Sequence, residues 1–299
     1  MKSLRMLGVM VAALSLLVLA SPAAAESRIE KNLELQPGGQ LVLESDVGSV
    51  RVDGASRSGA HIVITSERDD LNNELDLKFS SDAGIAHVTA RRKDTSFWSH
   101  SLSVHFEIEV PTETRTEIHT SGGDISISGL RGAADMKTSG GPIEVTGLIG
   151  NLDAYTSGGP IRAREVTGNA QLGTSGGPID VEALDGNLKA HTSGGGIRIN
   201  RVSGYVEAKT SGGPIRATYS PGNRHGGELE TSGGPIEVAI DPSANLNLDA
   251  STSGGSVSSD LPVRIVGTVT HSRIQGSIGA GGEELHLHTS GGSIHIRAL

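Results

Sequence analysis

A six-residue phrase, Thr-Ser-Gly-Gly-Pro-Ile, recurs with small variations from residue 120 to the end of this chain. Six copies begin 18 residues apart, two more follow after steps of 21 residues, and a last copy stands near the C-terminus. A fixed period of this length is typical of stacked supersecondary units, because each unit buries its apolar face against the next. The copies begin at Thr120, Thr138, Thr156, Thr174, Thr192, Thr210, Thr231, Thr252 and Thr289, with a possible degenerate copy at Thr270.

The apolar residues occupy the same places in every unit. With the threonine as position 1, they fall at positions 6, 8, 11, 15 and 17, as in Ile143, Val145, Leu148, Leu152 and Ala154. The pairs 6/8 and 15/17 alternate with polar residues, which indicates two half-buried strands per unit. The Ser-Gly-Gly and Gly-Asn pairs predict two tight reversals with positive φ, and proline at position 5 suits the first residue of a strand.

Two strands cannot bury their own inner face, so the units must stack. The sequence therefore predicts an all-β, single-domain β-solenoid, a parallel β-helix-like stack of 18-residue, two-strand coils. Outward position 7 supports parallel, in-register stacking, because its charges mostly alternate in sign along the chain and only Arg198 and Arg216 would repel. The threonine at position 1 has the parity of an inward residue. Position 7 holds Ser126, Glu144, Arg162, Asp180, Arg198, Arg216 and Glu237.

Residues 26–119 are less regular. Ser45–Gly54 resembles an imperfect coil, and the alternating stretches His61–Ile64 and Leu102–Val110 predict strands. We predict that 26–119 forms an N-terminal β cap with imperfect coils and that 120–299 forms the regular solenoid, since an open end would expose unpaired backbone.

The first 25 residues predict a secretory signal peptide. Lys2 and Arg5 precede the apolar run Met6–Ala20, and Pro22–Ala25 forms a small-residue cleavage site. A membrane anchor is the competing interpretation, but the apolar run is shorter than the roughly 20 residues that span a bilayer. The chain contains no cysteine, which excludes a lipoprotein anchor and a disulfide framework.

The net charge limits the classes of partner that the chain can bind, and the composition limits the side chains that can fill its core. The formal charge of −9 becomes −11 without Lys2 and Arg5, and such an acidic chain is unsuited to nucleic acid or anionic lipid. Glycine contributes 42 residues and aromatic residues only 2%, which favours a thin interior filled by aliphatic side chains. We expect an exported product, periplasmic or at the cell surface, without an integral membrane span.

Other repeat architectures fit less well. A left-handed β-helix would place apolar residues every six positions, and a calcium-binding β-roll would need aspartates that these repeats lack, apart from Asp124 beside one glycine pair. An ice-binding face would need outward threonines, whereas position 1 is predicted to point inward.

No pattern of catalytic residues stands out. Asp153, Asp180, Glu182 and Glu207 are scattered among basic neighbours, which indicates a solvated face rather than a pair of catalytic carboxylates. There is no cysteine nucleophile and no serine in a nucleophile-elbow context. We predict no catalytic, cofactor-binding or metal-binding residues and no cofactor.

A few unusual side chains are candidates for binding. His286 and His288 share one outward strand face and His295 lies on the next strand; we interpret them as surface histidines, with a surface metal site as the alternative. Phe97 and Trp98 stand in a polar segment and are predicted to plug one end of the core, with glycan or partner contact as the alternative.

The coils, together with Phe106–Gly129, resemble the bacterial "putative adhesin" family of β-strand repeat proteins, a domain of unknown function related to the head-GIN domain. The resemblance covers about residues 40–299. It implies a β-solenoid and no catalytic residues, and its adhesin label rests on architecture alone.

Two function classes follow. The first is an exported, non-enzymatic, adhesin-like scaffold that presents a long surface to an unknown protein or glycan partner in the cell envelope. The second is a carbohydrate-binding or carbohydrate-active protein that works along one face of the solenoid.

Overall fold

The fold is described from a computed structural model. It describes residues 27–67, 71–93, 102–266 and 269–299. The predicted signal peptide, and Phe97 and Trp98, lie outside these residues.

Nearly all of the regular secondary structure in the described residues is β-strand, arranged as two long sheets. Sheet A has 13 strands and sheet B has 14, and a single short helix, α1 (Leu71–Glu74), occurs within the described residues. In chain order, the strands of sheet A are β1 (Ser27–Leu33), β3 (Ser49–Ala55), β4 (Ala60–Ser66), β7 (Val104–Pro111), β9 (Ile125–Ser128), β11 (Ile143–Ile149), β13 (Ile161–Thr167), β15 (Ile179–Asp185), β17 (Ile197–Val202), β19 (Ile215–Tyr219), β21 (Ile236–Ile240), β23 (Val257–Ser259) and β27 (Ile294–Ala298). Those of sheet B are β2 (Gln40–Ser45), β5 (Leu75–Asp82), β6 (Ile85–Arg92), β8 (Arg115–Thr120), β10 (Ala134–Thr138), β12 (Leu152–Thr156), β14 (Ala170–Thr174), β16 (Leu188–Thr192), β18 (Val206–Thr210), β20 (Gly227–Thr231), β22 (Leu246–Thr252), β24 (Val263–Ile265), β25 (Arg273–Ile278) and β26 (Glu283–Thr289).

Each coil contributes one strand to each sheet. From β8 to β19, consecutive coils pair in parallel and residues lie beside their counterparts one repeat away, as Ile143 beside Ile161 in sheet A and Leu152 beside Ala170 in sheet B. The one register shift in this stretch places Val202 beside Tyr219. The predicted β-solenoid of two-strand coils with parallel, in-register stacking is confirmed.

The core is a thin layer of aliphatic side chains between the sheets. Residues at positions 6, 8, 11, 15 and 17 are buried throughout the regular stack, and Ile161 and Ala154 are fully inaccessible to solvent. Because each coil adds the same few side chains, burial accumulates by stacking rather than around one centre.

The corner threonines point inward, as predicted, and connect adjacent coils. The Thr156 hydroxyl donates to the Gly141 carbonyl of the preceding coil at 2.9 Å and accepts from the Gly159 backbone N–H at 3.3 Å. Thr174 and Thr192 repeat this arrangement with the same donor distance of 2.9 Å. A hydroxyl buried in this way satisfies a turn that would otherwise leave polar groups unpaired.

The glycines of this corner serve a different purpose from the one predicted. The prediction of positive φ in Ser-Gly-Gly is wrong; these glycines are needed because neighbouring coils approach closely, and a Cβ on Gly159 would lie 2.1 Å from the Gly141 carbonyl oxygen. Positive φ occurs instead at position 10, as in Gly147 (+68°) and Glu165 (+55°), and at the Gly-Asn reversal, as in Gly168 (+139°). The bend at position 10 explains why the apolar pattern moves from position 8 to position 11.

At the C-terminal end the order of coils departs from the order of the sequence. Strands β26 and β27 lie between the coil β20/β21 and the coil β22/β23, so the last segment of the chain is inserted between two coils that precede it in the sequence. The suggested degenerate copy at Thr270 is wrong, because Thr270 lies in the turn before β25, which runs antiparallel to β22.

The N-terminal end is also out of order. Strands β2 and β3 pair with β8 and β9, and Val50 and Val52 lie beside Ile125 and Ile127 as the imperfect coil predicts. Strands β6 and β7 stack beyond β2 and β3, and antiparallel strands β5, β4 and β1 cover that end. The boundary placed at residue 120 stays a prediction.

Candidate functional site

Sheet A presents a flat outer face with a column of paired charges at position 7. The Arg162 guanidinium donates to the Glu144 carboxylate at 2.9 Å, and Arg198 donates to Asp180 at 3.0 Å. Further along, Glu237 at position 7 accepts from Arg297, which stands at position 9 of the inserted strand β27, at 3.0 Å. Each pair joins two neighbouring coils, so this face is ordered by ion pairs that run along the stack.

The like charges Arg198 and Arg216 are direct register partners, as the sequence predicts. Each is paired with a carboxylate on its other side, Arg198 with Asp180 at 3.0 Å and Arg216 with Glu237 at 3.5 Å. The two guanidinium groups therefore have separate carboxylate partners, and the stack tolerates this one interruption of the alternation.

The carboxylates Asp153, Asp180, Glu182 and Glu207 lie on both sheets, and three of them are paired with basic side chains. Asp180 belongs to the sheet A column, and Glu182 lies 3.6 Å from Arg201. On sheet B, Glu207 pairs with Lys189 at 3.2 Å, and Asp153 lines a shallow groove.

Sheet B carries a groove of about 440 Å³ where its strands begin. Three asparagines form a ladder along its floor: the Asn151 side-chain oxygen accepts from the Asn169 backbone N–H at 3.1 Å, and Asn169 accepts from Asn187 in the same way. Asn187 accepts from the Tyr205 backbone N–H at 2.9 Å. The groove is lined by Asn151, Leu152, Asp153, Asn169, Ala170, Gln171, Asn187, Leu188, Lys189, Tyr205 and Glu207.

Tyr205 ends the asparagine ladder and is 39% exposed. Partial burial raises the pKa of its phenol, and the neighbouring carboxylates of Glu228 and Glu207 raise that pKa further. The phenol is thus neutral at ordinary pH and offers a ring face and a hydroxyl beside polar groups, a combination suited to sugars or to a partner protein.

The histidines near the C-terminus lie in different surroundings. His288 hydrogen-bonds with Ser251 at 3.1 Å, and His295 lies 3.3 Å from Asp260 on sheet A. His286 instead forms a cluster with Asp249 and Glu284, in which one ligand atom from each residue lies within 4.8 Å of the others. The sequence did not predict this cluster.

A signal for the cluster was nevertheless present in the repeat. Asp249 and His286 each stand three residues before a corner threonine, which assigns both to one outward column of sheet B. What the sequence did not show is that β22 and β26 are neighbours, with Asp249 directly beside His286.

Comparison with known proteins identifies the repeat. Residues 186–297 match the family model Toastrack DUF4097. The predicted resemblance to a β-strand repeat domain of unknown function is confirmed there. No curated protein matches the chain.

Solved structures share the architecture at low identity. A "putative lipid binding protein" from Parabacteroides distasonis aligns with a TM-score of 0.50 and 14% identity, over 91% of this chain and 96% of that one. A "putative adhesin" from Bacteroides fragilis aligns with a TM-score of 0.45 and 11% identity, over 93% and 99% of the two chains. At 14% identity the likeness to the first of these structures shows the fold alone.

The Toastrack segment contains Asn187, Tyr205 and the cluster of Asp249, Glu284 and His286. It therefore spans one end of the groove and the whole C-terminal insertion. Within the described residues, no helix is both long and apolar enough to cross a membrane.

Proposed function

We propose that this chain is an exported, non-enzymatic, adhesin-like scaffold of the bacterial cell envelope that binds a partner along the sheet A face. The observation that carries the proposal is the charge column of that face. Its ion pairs join neighbouring coils, as Glu144 with Arg162 and Asp180 with Arg198, and the in-register parallel strands fix the backbone that presents these charges. A long surface on a fixed backbone suits recognition of an extended partner, because little backbone entropy is lost on binding.

Export is supported by the features of residues 1–25 and is tested by fractionation. We expect a C-terminally tagged chain in the periplasm or at the cell surface, shortened by its first 25 residues when measured by mass spectrometry. A full-length product found only in the cytoplasm would contradict this part of the proposal. A strain that lacks the gene should then show a defect in attachment or envelope integrity.

The role of the sheet A face is tested by reversing charges without removing pairs. The double change Glu144→Arg with Arg162→Glu keeps an ion pair between the same two coils. We expect the variant to remain folded yet to fail to rescue the deletion strain. The matched control exchanges Glu44 and Arg91, which pair between the neighbouring strands β2 and β6 of sheet B and lie outside the groove, and should rescue fully. Equal rescue by both variants would remove the sheet A face from the proposal.

A second candidate function is glycan binding in the sheet B groove. The specific observation is Tyr205 at the end of the asparagine ladder, beside Lys189 and Glu207. Tyr205→Ala should abolish retention on immobilised envelope polysaccharide, whereas Ile149→Ala, which removes another exposed apolar side chain, should not. Retention unchanged by Tyr205→Ala would exclude the groove. Glycan hydrolysis by the wild-type protein that is lost on mutating one carboxylate would instead overturn the non-enzymatic role.

A further inference from the structure

The outer face of sheet B holds a mixed cluster of ligand-type atoms at the C-terminal insertion. Asp249 of β22 and His286 of β26 are direct register partners, and Glu284 stands two residues before His286 on the same strand. One ligand atom from each of the three lies within 4.8 Å of the other two. Adjacent parallel strands fix the backbone of all three residues, so the grouping does not depend on a loop.

The two oxygens of the Asp249 carboxylate have different surroundings. Its Oδ2 accepts from the Arg273 guanidinium at 3.0 Å. Its Oδ1 is inaccessible to solvent and has no hydrogen-bond partner among the described residues. A buried carboxylate oxygen without a partner is unfavourable, and a cation held between Asp249 and His286 would satisfy it.

The surrounding charge also favours a cation. Lys209 bonds with Glu228 at 2.8 Å and lies 3.2 Å from Glu230, so it offsets these carboxylates. Glu284 is exposed and has no cationic partner within 4 Å in the described part of the chain. His286 lies 4.0 Å from Glu230, which adds a further negative group at the edge of the cluster.

We propose that Asp249, Glu284 and His286 bind a divalent transition-metal ion of the zinc class. An imidazole nitrogen with two carboxylate oxygens is a donor set that suits zinc, whereas calcium prefers oxygen ligands alone. Metal–ligand bonds of about 2.0–2.2 Å require the three atoms to lie closer together than they do now, and rotation of the exposed Glu284 side chain can supply that movement. Water completes the coordination.

The consequence would be structural. Such an ion links β22 to β26, and so ties the terminal coil to the strand that is inserted beneath it. Binding to the folded state alone stabilises that state, so zinc should slow amide exchange in residues 246–252 and 283–289 while leaving 188–192 unchanged.

The test is isothermal titration of the purified full chain with ZnCl2 and, separately, with CaCl2. We expect about one zinc per chain and weak calcium binding. His286→Ala should raise the Kd for zinc by about 100-fold or more, since loss of an outer-shell partner alone typically costs 10–100-fold. His288→Ala is the matched control, because His288 lies on the same face of the same strand and bonds with Ser251; its Kd should stay within about twofold.

Glu284→Gln is a second variant that removes a proposed ligand without disturbing the fold, because Glu284 is exposed and its replacement leaves the packing intact. A loss of zinc binding in this variant therefore cannot be ascribed to misfolding. Its Kd for zinc should rise by about 10-fold or more. Absence of zinc binding by the wild type at about 100 μM would overturn the proposal. So would equal losses in His286→Ala and His288→Ala, or calcium binding as tight as that of zinc, which would indicate a general acidic patch.

Discussion

The regular middle of the solenoid and its C-terminal end are built from the same corner but connected differently. In the middle, the Thr174 hydroxyl bonds with Gly159, 15 residues earlier. At the end, Thr289 bonds with Gly234, 55 residues earlier, at 2.8 Å, and Thr252 bonds with Gly292, 40 residues later, at 2.7 Å. The corner therefore fixes how any two coils join, while something else decides which coils join.

That second factor is the need to cover an exposed sheet edge. A coil at the end of a parallel stack leaves a row of unpaired backbone groups. At this end the chain places the antiparallel strand β25 against β22 and β24 against β25, and at the other end it places β5 against β6, β4 against β7 and β1 against β4. Antiparallel strands therefore close the N-terminal end of both sheets and the C-terminal end of sheet B, whereas the strands in the middle pair in parallel throughout.

The largest expected effect comes from removing residues 283–299. This change deletes β26 and β27, which are the partners of β22 and β23 on one side and of β20 and β21 on the other. We expect residues 241–282 to become sensitive to limited proteolysis while the stack from β8 to β21 remains protected. Protection of 241–282 in the truncated chain would mean that β22 can pair directly with β20.

Adding one methyl group to a corner glycine of the regular stack should cost more stability than adding one to a turn glycine at the end of the stack. A Cβ on Gly159 would lie 2.1 Å from the Gly141 carbonyl oxygen, so Gly159→Ala must push two coils apart and should destabilise the protein by about 3 kcal/mol or more.

The control is Gly84→Ala in the turn between β5 and β6. There φ is +80° and no heavy atom lies within 4 Å of the added Cβ, so only the backbone strain of about 1–2 kcal/mol applies. Chemical denaturation measures both variants. Similar losses would show that close approach between coils is not what requires glycine at the corner.

The corner hydroxyl should matter less than the corner glycine. Thr174→Val removes the donor to Gly159 at 2.9 Å and the acceptor for the Gly177 N–H at 3.3 Å, and should lower the free energy of unfolding by about 1–3 kcal/mol. Thr289→Val should have a similar effect at the inserted coil. Thr174→Ser keeps the hydroxyl and should recover part of the loss. If valine were tolerated and serine were destabilising, the methyl group rather than the hydroxyl would be the important part.

The smallest expected effect belongs to the surface pairs. A double-mutant cycle on Glu144 and Arg162, which are paired at 2.9 Å, should give a coupling of about 0.2–1 kcal/mol that decreases with added salt. A coupling that does not change with salt would contradict a solvent-screened pair.

The sequence predicted the coil well because its signals are local. Alternation at positions 6/8 and 15/17 identified both strands, and the inward parity of the threonine followed from the same count. The positive φ of Glu165 was not predictable, because a side chain there gives no composition signal of the kind that glycine gives. The role of Gly159 was misassigned for the opposite reason, since glycine permits both unusual φ and close approach.

The order of the coils and the metal cluster could not be predicted from local sequence, because both depend on which distant strands pair. Thr231, Thr252 and Thr289 begin nearly identical corners, so the sequence gives no chemical reason to pair Thr231 with Thr289 rather than Thr252. Asp249 and His286 share a repeat position, yet their contact depends on that long-range choice.

The inserted strands also determine the order in which parts of the solenoid can fold during synthesis. During synthesis, residues 246–259 leave the ribosome before residues 283–298, yet their places in both sheets lie beyond the later segment. The end of the solenoid therefore cannot be completed until the last residues of the chain are free. A chain that stops early, or is clipped near its C-terminus, would leave β22 and β23 without their parallel neighbours and expose them to cellular proteases.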